Sequence, residues 1–94
     1  MILEHVVLPV IPGREDDFLV AFAHARPIIA ASPGFVDLSL RRGIERPNEF
    51  LLLVRWESLE AHTEGFRGSE AYGRWRELLH HFYEPFPEVT HFEC

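Results

Sequence analysis

Glu49-Phe-Leu-Leu-Leu-Val-Arg-Trp-Glu-Ser-Leu-Glu-Ala-His62 is the stretch on which the fold turns. Its apolar run, Phe50 to Val54, is far too short for a membrane span and follows the turn chemistry of Pro47-Asn48. Such a run, bounded by turn residues, reads as a strand buried on both faces. The strand ends at Trp56, and Ser58 then offers an N-cap oxygen to a short helix over Leu59–Phe66. A strand that needs cover on two sides, with an aromatic at its exit and a histidine one helical turn beyond, sets the terms for the rest of the chain.

Working outward, Gly43 to Asn48 forms the loop of a hairpin whose first strand is Phe35–Arg42. Phe35, Asp37, Ser39 and Arg41 alternate there with Val36, Leu38 and Leu40, giving one wetter face. Further back, Ile2–Val10 places Ile2, Val6, Leu8 and Val10 on one side and Leu3 and Val7 on the other, again apolar on both. Pro12-Gly13 breaks that strand. Glu15, Asp16 and Asp17 open a helix, where the macrodipole favours negative charge. Its stripe is Phe18, Phe22, Ala25 and Ile29; Pro27 predicts a kink or a change of helix type, and Ser32-Pro33-Gly34 ends it. Beyond His62, Gly65 and Gly68 mark a bend, and Ser69 caps a longer helix with the stripe Tyr72, Trp75, Leu79 and Phe82. Pro85 and Pro87 stop it, and Glu88–Glu93 is a final strand.

The order β-α-β-β-α-α-β is that of a ferredoxin-like α+β sandwich, with helices on one face of an antiparallel sheet, in a single domain over residues 1–94. Helices cover only one face, yet two strands are apolar on both. Leaving Leu3, Val7, Leu51 and Leu53 in water would expose a patch larger than soluble monomers tolerate. A second copy packed sheet to sheet about a two-fold axis resolves the conflict, so a homodimer is expected.

Composition narrows the function classes. The net charge is −6, and all nine basic residues are arginines, scattered except for Arg41-Arg42. Nucleic acid and anionic membrane surfaces are therefore not expected partners. No segment reaches transmembrane length, the N-terminus lacks a basic leader region, and the single cysteine, Cys94, makes no internal disulfide. A cytoplasmic protein is the expectation. Metal binding is not expected either, since His80 and His81 diverge by ~100° on a helix and no His-x-x-x-His or Cys-x-x-Cys spacing occurs. Ser39, Ser58 and Ser69 sit in no nucleophile elbow.

Arg55-Trp56-Glu57-Ser58, Phe66 and Ser69-x-x-Tyr72 together resemble the antibiotic biosynthesis monooxygenase family, over essentially the whole chain. The resemblance implies a dimeric α+β barrel and, in one branch, cofactor-free oxygenation of aromatic polyketides or quinols. In that branch the strand-exit tryptophan, here Trp56, contributes to the pocket. The tyrosine six residues later is His62 in this chain, and the arginine twenty residues after the tryptophan is Arg76. The asparagine four residues before it is replaced by Leu52, which leaves no amide there to hold a substrate oxygen. A haem-degrading branch would need an asparagine near Val6 and an axial histidine near Trp75 or Arg76; the chain has neither, and His80 and His81 lie a turn further on.

Period two sets Leu52 and Trp56 on one strand face. The resemblance makes it the helix-facing one, with a pocket lined by Leu52, Trp56, Phe66, Tyr72 and Phe22; the alternative is that these aromatics simply pack as core. The expected reaction is cofactor-independent monooxygenation of a small aromatic or quinol-like substrate by O2. His62 would be the base, since imidazole titrates in the useful range. Arg76 either steadies a developing oxyanion or pairs with Glu77 or Glu60 at the surface. Tyr72 either bonds a substrate oxygen or sits at the rim, and His91 reaches either the pocket or the dimer seam. The rival reading is a non-catalytic small-molecule-binding or stress-response dimer, which Leu52 favours; an isomerase and a haem-degrading enzyme are further alternatives.

Overall fold

A computed structural model describes all residues from Met1 to Cys94. Four strands, β1 (Ile2–Pro9), β2 (Phe35–Arg42), β3 (Glu49–Trp56) and β4 (Val89–Glu93), pair in the order β2-β3-β1-β4, antiparallel throughout. Helices α1 (Glu15–Ala30) and α2 (Glu70–Leu79) cover one face. This is the ferredoxin-like order. No helix is long and apolar enough to cross a membrane.

Period two decides the core. From β3, Phe50, Leu52, Val54 and Trp56 all point inward and are buried. From β1, Val6 and Leu8 join them, together with Glu4. The helices contribute Phe18, Phe22, Ala25 and Ile29 from α1 and Trp75 and Leu79 from α2. The opposite face is apolar but uncovered in the single chain. Leu3, Leu51 and Leu53 are half-buried there, and Val7 and Phe92 are 42% and 53% exposed. The expectation of a strand buried on both faces is thus met on the helix side alone.

Four local expectations need correction or refinement. The short helix expected over Leu59–Phe66 is present, and its Ala61–Phe66 portion is a π-helical turn. The Ser58 cap is present: its Oγ accepts from the Ala61 N–H at 3.1 Å. Helix α1 runs through Pro27 to Ala30 without changing type, because the proline sits on the exposed side, where the carbonyl it deprives of a partner meets water. Helix α2 stops at Leu79, well before the prolines, and a 3-10 turn, His80–Phe82, delivers Phe82 to the core. In β2, a bulge between Phe35 and Asp37 breaks the alternation. Phe35 therefore shares the inner face with Trp56, ring centroids 5.9 Å apart, while Asp37 pairs with Arg55 on the outer face.

Candidate functional site

Between sheet and helices lies a cavity of about 380 Å³, within the usual range of small-molecule sites. Its sheet wall is Glu4, Val6, Leu8 and Leu52. Phe66, Tyr72 and Trp75 form the helix side, and Tyr83, Phe86 and Val89 come from the chain beyond α2. His62, Arg67 and His80 are the imidazole and guanidinium groups on its lining.

The π turn is what presents His62. The Arg67 N–H donates to the His62 carbonyl at 3.0 Å, the i to i−5 bond of that geometry. The turn is wedged against the start of β2. A Cβ built on Gly34 would come within 2.5 Å of the Ala61 Cβ, and Gly34 has φ +86°. Only glycine meets both conditions there.

At its buried end the site is polar and closely connected. The Trp56 indole N–H donates to Glu4 Oε1 at 2.9 Å. The same oxygen lies 3.4 Å from His62 Nε2, and His62 Nδ1 is 2.9 Å from His91 Nε2. The Trp56 indole also stacks on the His62 ring, centroids 5.2 Å apart and planes 16° from parallel. Every buried side-chain nitrogen and oxygen has a partner.

Burial governs the charge state here. It holds His62 down to about 3, with Arg67 and His91 adding to the effect. The same desolvation raises the Glu4 carboxyl, against the indole hydrogen bond and the Arg67 charge that lower it. At neutral pH His62 is therefore uncharged, and its contact with Glu4 is not an ion pair. Burial also lowers His80 and His91, with Arg76 and Arg67 respectively as the second cause. It raises the Tyr83 hydroxyl.

Of the residues expected in the site, His62, Leu52, Phe66 and Tyr72 line the cavity. Trp56 does not; it is wholly buried behind the His62 ring. Phe22 is core, packed on Phe18 and Trp75. Arg76 is exposed on α2, off the lining, and forms no ion pair with Glu77 or Glu60. His91 stays off the lining but touches His62. Sequence reasoning missed Glu4, Arg67, His80, Tyr83 and Phe86. Glu4 had a signal: it occupies an inner position of β1, between Ile2 and Val6, where the inward series calls for an apolar residue. No three His, Cys, Asp or Glu side chains converge as a metal-holding group.

An antiparallel sheet in this order, with helices on one face and an aromatic-walled cavity between, defines a ferredoxin-like α+β domain. The chain belongs to the antibiotic biosynthesis monooxygenase family, whose pattern it matches over residues 1–78. It is 48% identical over 93 residues to YczJ of Bacillus subtilis (strain 168), an uncharacterised protein, covering 99% of this chain and 98% of that one. A crystal structure of a candidate antibiotic biosynthesis monooxygenase from Bordetella bronchiseptica superposes with a TM-score of 0.94 at 35% identity, covering 99% and 95% of the two chains. SnoaB of Streptomyces nogalater, a cofactor-independent oxygenase, shares the fold at a TM-score of 0.81 and 19% identity, over 99% and 92%.

Proposed function

We propose that this protein is a cofactor-independent monooxygenase of a small aromatic or quinol-like molecule, acting as a homodimer joined through the open sheet face. The observation that carries the reading is the buried cluster of Glu4, His62 and His91 at one end of a cavity otherwise walled largely by aromatic and aliphatic side chains. Family membership supports the class of reaction.

Triplet O2 reacts slowly with closed-shell organic molecules, so a site without metal or flavin needs an electron-rich substrate. Removing a proton from an acidic O–H or C–H supplies one, and the buried cluster is where that proton can go. With an anthrone-type substrate, the methylene carbon becomes a carbonyl, one atom of O2 enters it, and the other leaves as water with the two methylene hydrogens. Phe66, Tyr72 and Trp75 offer ring faces and edges to hold a flat molecule. Leu52 supports the binding-only alternative, since the wall offers no amide at that position.

Oxygen uptake with a panel of hydroquinones and anthrones tests the proposal. Turnover by the wild type that disappears in His62→Ala supports it. Saturable binding of the same compounds with no uptake would replace it with the binding-only reading.

A further inference from the structure

His62 is the titratable group that the sequence brings forward, yet it is poorly suited to keep a proton. A ring held down to about 3 gives up a proton at any working pH. Beside it, lining the same cavity, is the carboxyl of Glu4. Glu4 is 5% exposed, and the burial that weakens His62 as a base strengthens Glu4. Its charged or titratable neighbours are His62 from the π turn, His91 from β4 and Arg67 just beyond the turn; Trp56 reaches it from β3. None of these is acidic.

Hydrogen-bond bookkeeping fixes the roles. Glu4 Oε1 already accepts the Trp56 N–H, so it is an acceptor. An oxygen that is accepting offers lone pairs and no proton, so His62 Nε2, 3.4 Å away in a looser contact, faces it as an N–H. His62 Nδ1 is then the bare nitrogen, and it takes the N–H of His91 Nε2 at 2.9 Å. Glu4 and His91 are register partners on neighbouring strands, so their side chains leave the same sheet face and both reach His62. In this arrangement the Trp56 and His91 protons are accepted at 2.9 Å each, and the His62 Nε2 proton is turned toward Glu4 at the longer distance. The opposite His62 tautomer would set two lone pairs against each other.

Resting on the oxygenase reading above, we propose that Glu4 is the catalytic base, that Trp56 and His62 are N–H donors holding its carboxylate, and that His91 is a positioning residue fixing the His62 tautomer. In the first step a substrate C–H or O–H bond breaks. Its electron pair stays on the substrate as a carbanion or oxyanion, and the proton forms an O–H on Glu4. The anion gives its electrons to O2, forming a carbon–oxygen bond, and the peroxide so made takes the proton back from Glu4. The restored carboxylate removes the second methylene proton as the O–O bond breaks; that proton leaves with the hydroxide as water. One carboxyl serves each time, and nothing beyond O2 is consumed.

The test separates proton abstraction from oxygenation. Anthrone is incubated under argon in D2O, and loss of its methylene proton signal is followed by NMR for wild type, Glu4→Gln and His62→Gln. Glutamine at 4 still accepts the Trp56 and His62 protons but takes none from substrate, while glutamine at 62 keeps an N–H donor near the Nε2 position. The wild type is expected to accelerate exchange, Glu4→Gln to lose about a hundredfold or more, and His62→Gln to stay within about tenfold of wild type. Exchange surviving in Glu4→Gln, loss in His62→Gln as deep as in Glu4→Gln, or no acceleration by the wild type overturns the proposal. Nitrogen-15 NMR of the histidine rings gives a readout independent of turnover: His62 as the Nε2–H tautomer in the wild type, lost in His91→Phe. A proton on Nδ1 in the wild type overturns it equally. Exchange under argon without oxygen uptake in air would leave Glu4 as the base and remove only the oxygenase reading.

Discussion

Glu4 breaks the rule that carboxyls stay in water, and its neighbours show what that requires. A buried acid with no donor is costly, so the indole of Trp56 supplies one. Trp56→Phe fills most of the same space and removes that donor. We expect it to destabilise the fold by about 1–3 kcal/mol in urea unfolding, and to raise the Glu4 carboxyl further, seen by carbon-13 NMR titration. His62 makes a pH prediction with a definite sign. Its ordinary value is 6.5 and its folded value about 3, so below 6.5 the unfolded chain binds a proton that the folded chain refuses. The stability it contributes is complete above 6.5 and is lost as pH falls toward 3. Glu4, raised from 4.5, acts in the opposite sense as pH rises above that value, so the two oppose each other just above 4.5. Acid unfolding should therefore steepen below pH 4.5, and His62→Phe should move its midpoint lower in circular dichroism. The family resemblance is what brought His62 forward, as the residue six places after Trp56. Its dependence on Glu4 was not legible, because a residue count along β1 says nothing of what descends onto the strand from another element.

At the level of the element, the π turn decides where the imidazole goes. Composition hinted at a short helix with glycines near its end, and the Ser58 cap was legible. The wider turn was not, since one extra residue in a helical turn leaves no mark on a six-residue pattern. What fixes it is the close approach of Ala61 to Gly34. Gly34→Ala carries a left-handed backbone penalty of about 1–2 kcal/mol and adds a Cβ clash with Ala61. Combining it with Ala61→Gly should recover the clash portion and leave the backbone portion, measured as a double-mutant cycle in urea. Ser69 accepts the Tyr72 N–H at 3.3 Å at the head of α2. Ser69→Ala should cost about 1 kcal/mol by the same assay. Pro27 and the early end of α2 teach a related lesson: a proline marks where a backbone donor is missing, and whether a helix bends or ends depends on which side meets solvent.

For the whole molecule, the decisive property was readable from the start. Strands apolar on both faces, joined to helices that cover one, leave a second face wanting cover, and Leu3, Val7, Leu51, Leu53 and Phe92 lie on it. Leu53 is central, paired with His5 on β1 and Ser39 on β2. Leu53→Glu points away from the core and should spare the fold while weakening self-association by at least about tenfold, or roughly 1.4 kcal/mol, in sedimentation equilibrium. A wild-type monomer at micromolar concentration would dispose of the paired sheet. The bulge in β2 is the part of the sheet that alternation could not show, because Phe35-Val36-Asp37 reads as well in regular alternation as it does with Val36 unpaired.

The indole lying flat against His62 gives the protein an optical probe of its own. A charged imidazole draws excitation energy out of a neighbouring indole, whereas a neutral one leaves it bright. Replacing Trp75 by phenylalanine would leave Trp56 as the sole emitter, so that its glow would track, from inside the cavity wall, whether the ring beside it has gained a proton or an arriving guest has shifted it.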